Sequence, residues 1–283
     1  MSEAQTINPN FPPLTVDLLA AGFADCGLAP GQTVIVHTAM RKLGWVVGGP
    51  VAVIQALLQV LGPQGNLVMP AHTTDNSEPS HWQNPPVPES WWPIIRAHMP
   101  AYDPATSPLR QMGKVAETFV HWPGAIRSSH PANSFVALGP QAAYLTADHR
   151  LESGLGARSP LARLYDLDGY VLLIGVDHSN NTSLHLAEDR AEWPGKPYTE
   201  DGVAMLVDGE RRWVTYRMLD YDADDFAQLG DAYEAAAVIP RHTVGQAQVR
   251  FMRQRPLVDF AVQWVNANRG RATEAGSSAT PDA

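Results

Sequence analysis

The segments Thr33-Val34-Ile35-Val36-His37, Val51-Ala52-Val53-Ile54-Gln55-Ala56-Leu57-Leu58-Gln59-Val60-Leu61 and Asn66-Leu67-Val68-Met69 set the architecture of this chain. The first and third are short, apolar runs of strand length. The second repeats bulky residues at Ile54, Leu57, Leu58 and Leu61, the spacing of one helix face. Gly62-Pro63-Gln64-Gly65 turns the chain between the helix and the second strand. Strand, helix and strand at this spacing form a βαβ unit, whose strands pair in parallel. The expected fold is therefore α/β, with a central, mostly parallel sheet flanked by helices.

Outward from that unit, residues 15–28 read as a preceding helix and 160–192 as a second βα unit. A polar hairpin is expected over 204–207 and 212–216 around Asp208-Gly209-Glu210, with helices following at 223–236 and 256–268. Residues 73–112 are studded with proline and carry Trp82, Trp91 and Trp92. They are too long for an ordinary connection and read as an inserted loop-rich subregion with a short helix near 90–98. No repeat or linker divides the chain, so residues 13–268 are expected to be one domain. Residues 1–12 and 269–283 are expected to be flexible ends without chemistry.

With 283 residues, 45% of them hydrophobic, the chain can bury a full core without disulfide staples. Its single cysteine, Cys26, falls beside Leu18, Leu19 and Phe23 and reads as a buried structural thiol. A secretory signal pattern and any run of about 18 apolar residues are both missing from the sequence, which points to a cytoplasmic protein with no membrane partner. A net charge of -9 argues against nucleic acid, whose phosphates need a basic face, and suits a cationic small molecule.

The stretch Leu173-Ile174-Gly175-Val176-Asp177-His178-Ser179-Asn180-Asn181-Thr182-Ser183-Leu184-His185-Leu186-Ala187-Glu188 carries the chemistry. It reads as the end of a buried strand, a polar turn and a helix capped by Thr182 or Ser183. His185 then sits where the carboxyl edge of the sheet meets a helix N-terminus, a common place for α/β active sites, and is a candidate general base. The spacing His185-Leu186-Ala187-Glu188 also raises metal ligation, but no second pair of ligands accompanies it and the remaining histidines are scattered, so no metal is expected. The lack of a Gly-x-Ser-x-Gly elbow argues against a serine hydrolase.

Four segments, in this order, resemble the aminoglycoside 3-N-acetyltransferases, the antibiotic N-acetyltransferase family that is distinct from the GNAT enzymes. They are Val36-His37-Thr38 with Gly48-Gly49-Pro50, then Gly65-Asn66-Leu67-Val68-Met69-Pro70. Next comes Asp103-Pro104 through Gly113, with Glu117 to Arg127-Ser128-Ser129-His130-Pro131, and last the Leu173 to Glu188 stretch. The likeness spans residues 15–268. It implies acetyl-CoA-dependent transfer to the 3-amino group of a 2-deoxystreptamine antibiotic, giving resistance. The implied partners are coenzyme A and a cationic aminoglycoside, and a homodimer stays open. A relative acetylating a different amine, or a noncatalytic binding protein of the same fold, are the alternatives, because fold does not set substrate.

Under that resemblance a protonated amine must lose a proton before it attacks a thioester, the task of His185, with a carboxylate on the other ring nitrogen. Asp220 is the favoured carboxylate, with Asp222 and Glu188 as alternates. Thr38 is the candidate donor to the thioester oxygen. His37, Thr38, Arg41, Gly48, Gly49, Ser107, Arg127 and Ser128 are the candidate coenzyme contacts, the Gly48-Gly49 turn because it opens a helix whose positive end can receive phosphate. His130 either shapes the coenzyme side of the cleft or packs structurally. Asp75, Asp177, Glu188, Glu192 and Asp222 are the candidate carboxylates for the polycation. Ala39 stands where the family often has serine, which removes one expected coenzyme or thioester contact; Asp177 stands where it commonly has glycine, and its added negative charge near the site points to an altered antibiotic profile.

Overall fold

The computed structural model describes residues 6–73 and 75–275. Helix α1 (Val16–Asp25) starts at Thr15, whose side chain accepts from the Leu18 amide, and leads to β1 (Thr33–Thr38), α2 (Gly49–Leu61) and β2 (Asn66–Pro70). The expected βαβ unit is therefore present, with β1 and β2 in parallel register, Thr33 against Asn66. The long insertion holds α3 (Trp92–His98), and α4 (Gly113–Phe119), β3 (Ile126–Arg127), β4 (Phe135–Leu138) and α5 (Ala142–Thr146) follow. The second βα unit is α6 (Pro160–Asp166), β5 (Tyr170–Ile174) and α7 (Ser183–Arg190). The hairpin β6 (Tyr198–Val207) and β7 (Glu210–Leu219) is twice the expected length, and α8 (Phe226–Ala237), β8 (Arg241–Val244), β9 (Ala247–Arg253) and α9 (Gln254–Ala275) complete the fold.

The main sheet has seven strands in the order β3-β4-β2-β1-β5-β9-β8. Its centre, β2-β1-β5, is parallel, as expected, and each edge is extended by antiparallel strands. Alternation along the central strands builds two cores. Val34, Val36, Leu67, Met69, Leu172 and Ile174 point to one face and pack with α1, α2 and α4. Ile35, Val68, Val171 and Leu173 point to the other, where α5 to α9 cover them. Both faces are thus buried, which is why these strands read as continuous apolar runs.

Asn66 locks the start of β2. Its side-chain NH2 donates to the buried Thr33 Oγ1 at 2.9 Å and its side-chain oxygen accepts from the backbone amide of the more exposed Gln141 at 2.7 Å. Helix α9 continues past residue 268, and Arg269 is an ion-paired residue of that helix, not part of a loose end without chemistry. The outermost parts of the expected flexible ends, 1–5 and 276–283, lie outside the described residues. Replacing Asn66 by Ala strands the buried Thr33 hydroxyl and frees the part-buried Gln141 amide, and urea unfolding should show a loss of about 1–3 kcal/mol. A loss under about 0.5 kcal/mol would contradict this role.

Candidate active site

The parallel strands β1, β2 and β5 end together, and a cavity of about 310 Å³ opens at their carboxyl ends. Thr38 closes β1, Pro70 and His72 follow from β2, and Asn180, Asn181 and Thr182 come from the loop after β5. His185 projects into the same cavity from the first turn of α7. The cap of that helix differs from expectation. Thr182 makes no capping bond, and Asn181 Oδ1 accepts from the Ser183 amide at 3.2 Å.

His185 Nδ1 bonds Glu188 Oε2 at 2.7 Å, one turn along the same helix. Glu188 is wholly buried, and its other oxygen accepts from Arg269 Nη1 at 2.5 Å and from the Asp222 amide at 2.9 Å. Arg269 also grips Asp225 through two nitrogens and lies 5.5 Å from the centre of the Trp193 ring. The imidazole is held edge to face by Tyr221 and tilted against Phe226, with centroids 5.2 and 4.7 Å away. With Nδ1 taken, Nε2 is the nitrogen left for a substrate.

This arrangement corrects the expected partner. Asp220 is exposed and does not bond His185; the carboxylate on Nδ1 belongs to Glu188, one of the two alternates. Glu188 is also lost as a substrate carboxylate, because both its oxygens are engaged below the surface. Spacing alone did not decide between them: a His at i and Glu at i+3 share a helix face, but it is Arg269, together with the Asp222 amide, that makes a buried carboxylate tolerable there.

Three of the residues lining the cavity carry a buried polar atom with no partner among the described residues: Thr38 Oγ1, His37 Nε2 and His72 Nδ1. Buried polar groups are nearly always satisfied, so these mark where a bound molecule would supply the missing bonds. His72 was not anticipated, since it sits two residues beyond the end of β2 and reads in the sequence only as one of the scattered histidines.

Beyond the geometry, the family profile described as aminoglycoside 3-N-acetyltransferase matches residues 35–266. The chain belongs to the aminoglycoside 3-N-acetyltransferase family. It is 42% identical over 253 residues to the SPbeta prophage-derived aminoglycoside N(3')-acetyltransferase-like protein YokD of Bacillus subtilis, covering 89% of this chain and 92% of that one. The YokD crystal structure superposes with a TM-score of 0.89 at 40% identity, over 91% of this chain and 95% of that one. Aminoglycoside N(3)-acetyltransferase VII of Streptomyces paromomycinus is 37% identical over 96% of this chain and 98% of its own length. The structure of AAC-IIIb in binary complex with CoASH matches with a TM-score of 0.80 at 31% identity, over 90% of this chain and 97% of that one.

Within this family fold the expected coenzyme residues divide. Gly48 and Gly49 both have positive φ, +83° and +57°, and open α2 with no side-chain cap, but the Gly49 N–H already donates to the Val46 carbonyl at 3.1 Å and Pro50 has no N–H, so the first turn offers little of the amide cradle the sequence suggested. Arg41 lies exposed in the short turn Met40–Lys42 between β1 and α2. Arg127 and Ser128 are instead structural. Arg127 is buried and donates to Ser134 Oγ and to the carbonyls of Ser107 and Ala71. Ser128 Oγ bonds His149 Nδ1 at 2.9 Å and accepts from the Phe135 amide. Ser107 spends its hydroxyl on the Asp103 amide. His130 packs structurally, accepting the amides of Ala132 and Asn133 at Nδ1. Cys26 is buried, and burial pushes its thiol up to about 11.

The acidic residues also divide. Two shallower depressions adjoin the cavity, sharing Gln111, Asn133 and Leu155 with it. Asp75 and Asp201 line one, and Asp201 and Asp220 the other. Asp201, on β6, was missed because the hairpin was read as starting after it. Asp177, Glu192 and Asp222 line none of the three; Asp177 caps the turn His178–Asn180 by accepting from Ser179.

Burial lowers His37 and His72 to about 3 and His130 to about 4, from an ordinary value of 6.5. The folded protein therefore holds them neutral where the unfolded chain takes up protons. Their contribution is complete above pH 6.5 and is lost as the pH falls toward 4, at about 1.4 kcal/mol per pH unit for each histidine. Urea unfolding at pH 6.5 and 5.5, where carboxylates stay ionised, should show that decline. Equal stability at the two values would contradict neutral burial.

Proposed function

We propose that this protein transfers the acetyl group of acetyl-CoA to the 3-amino group of 2-deoxystreptamine aminoglycosides by direct attack, with His185 as general base and Glu188 as its orienting carboxylate. The observation that carries the proposal is the His185–Glu188 pair, buried on one side and open on the other to a cavity with an unpartnered hydroxyl at Thr38. Acetyl-CoA supplies the acyl group as a thioester, and the unpartnered atoms of His37, Thr38 and His72 are the polar groups available to it. His185 Nε2 takes the proton from the acceptor nitrogen, and Glu188 stabilises the resulting imidazolium through Nδ1–H. Thr38 Oγ1 donates to the carbonyl oxygen as negative charge gathers there; the new C–N bond is kept while the C–S bond breaks, and coenzyme A leaves as its thiolate. Asp201 and Asp220 in the outer depressions supply the negative field that an aminoglycoside polycation seeks, whereas Asp75 is ion-paired with Arg110 in the same depression.

Free-thiol release from acetyl-CoA, followed with a panel of aminoglycosides, tests this reading. His185→Ala should lower turnover by about two to four orders of magnitude with acetyl-CoA binding retained. Near-normal turnover would remove His185 from the mechanism. No release with any aminoglycoside of the panel, despite measurable acetyl-CoA binding, would move the search to another amine.

Glu188→Gln and Asp220→Asn separate the two carboxylates. Glu188→Gln should cut kcat by about ten- to a hundredfold. Asp220→Asn should leave kcat within about twofold while raising the aminoglycoside KM, because it removes surface field and no catalytic bond. The reverse pattern would return the pairing role to Asp220.

A further inference from the structure

A second histidine and glutamate pair lies behind the cavity. His178 is 1% exposed, and its Nε2 stands 3.1 Å from Glu234 Oε1 on α8. Glu234 is held in turn by Arg241 Nε at 2.8 Å and Arg250 Nε at 2.5 Å, and Arg250 also donates to the Val176 carbonyl in the loop after β5. On the other side of the ring, His178 Nδ1 is 3.2 Å from Asn181 Nδ2. Asn181 then starts α7 twice over, its side-chain oxygen accepting from Ser183 and its backbone carbonyl from Leu184. His185 follows one residue later, its amide donating to Thr182.

The donors and acceptors along this chain admit one consistent assignment. A carboxylate gripped by two arginines can only accept, so His178 carries its proton on Nε2. Nδ1 is then an acceptor, which fixes the Asn181 amide with its NH2 toward His178 and its oxygen toward Ser183. Burial holds the His178 imidazole below the ordinary histidine range, which keeps Nδ1 free to accept at neutral pH. Gly230 makes the approach possible: a Cβ there would lie 2.0 Å from His178 Cγ.

We infer that His178, bridging Glu234 to Asn181, is a positioning residue that sets the start of α7 and thereby the placement of His185. It touches no reacting atom and acts through Asn181. The inference rests on His185 being the base. Small displacements of a reacting group carry large rate penalties, so the effect should appear in kcat.

The test compares two replacements of one residue in the full chain. Glutamine keeps both polar functions, its NH2 donating to Glu234 and its oxygen accepting from Asn181; leucine keeps bulk and removes both. H178Q should retain kcat within about threefold, whereas H178L should lose about ten- to a hundredfold with the acetyl-CoA KM changed by less than about twofold. Folded H178L with wild-type kcat, or H178Q losing as much as H178L, would overturn the inference. If H178L does not fold, E234Q decides: a several-fold fall in kcat with KM unchanged supports the role, and wild-type kcat overturns it. H185A measured alongside separates the two claims, since an active H185A sinks the base assignment and an inactive H185A with a fully active H178L sinks only the positioning role.

Discussion

The account depends on one buried carboxylate. Glu188 is wholly inside the protein, where an uncompensated charge costs several kcal/mol. It is stable there because Arg269 and the Asp222 amide meet one oxygen and His185 the other. Two distant parts of the chain must therefore converge on α7: Arg269 on α9, and the segment after β7, which brings both the Asp222 amide and the aromatic wall of Tyr221 and Phe226. The same contacts that satisfy the charge also hold the imidazole in one orientation. Removing Arg269 would disturb stability and chemistry together, because it would strand the charge that His185 uses.

The fold delivers this pair to a useful place. Parallel pairing of β2, β1 and β5 brings three strand ends to one edge, and the chain must leave each of them through a loop or helix start. Thr38, His72 and the Asn180-Asn181-Thr182 turn are those exits, so the cavity follows from the βαβ topology. The antiparallel additions do different work. Arg250 on β9 and Arg241 on β8 reach Glu234 and brace the loop below His185, while the β6–β7 hairpin carries Asp201 into the outer depressions.

The parallel core was legible because its strands are buried on both faces and its helix shows a regular apolar face. Strands β3 and β8 were not, being short edge pieces whose pairing is set by partners far away in sequence. His185 was legible from strand, turn and helix signals within sixteen residues. Its partner was not, because the choice among Asp220, Asp222 and Glu188 turns on Arg269, 81 residues beyond Glu188 and in a segment whose composition reads as a tail. Arg127 misled for a related reason: an arginine that donates to backbone carbonyls looks, in sequence, like one that would meet a phosphate.

The most direct measurement of the central claim is the nitrogen NMR spectrum of histidine-labelled protein, with the His185 signals assigned by their loss in H185A. A charged Glu188 can only accept, so neutral His185 is predicted to carry its proton on Nδ1, with Nε2 unprotonated and available to a substrate amine. Neutral His185 protonated on Nε2 would contradict the account, because the nitrogen facing the substrate could not then take a proton.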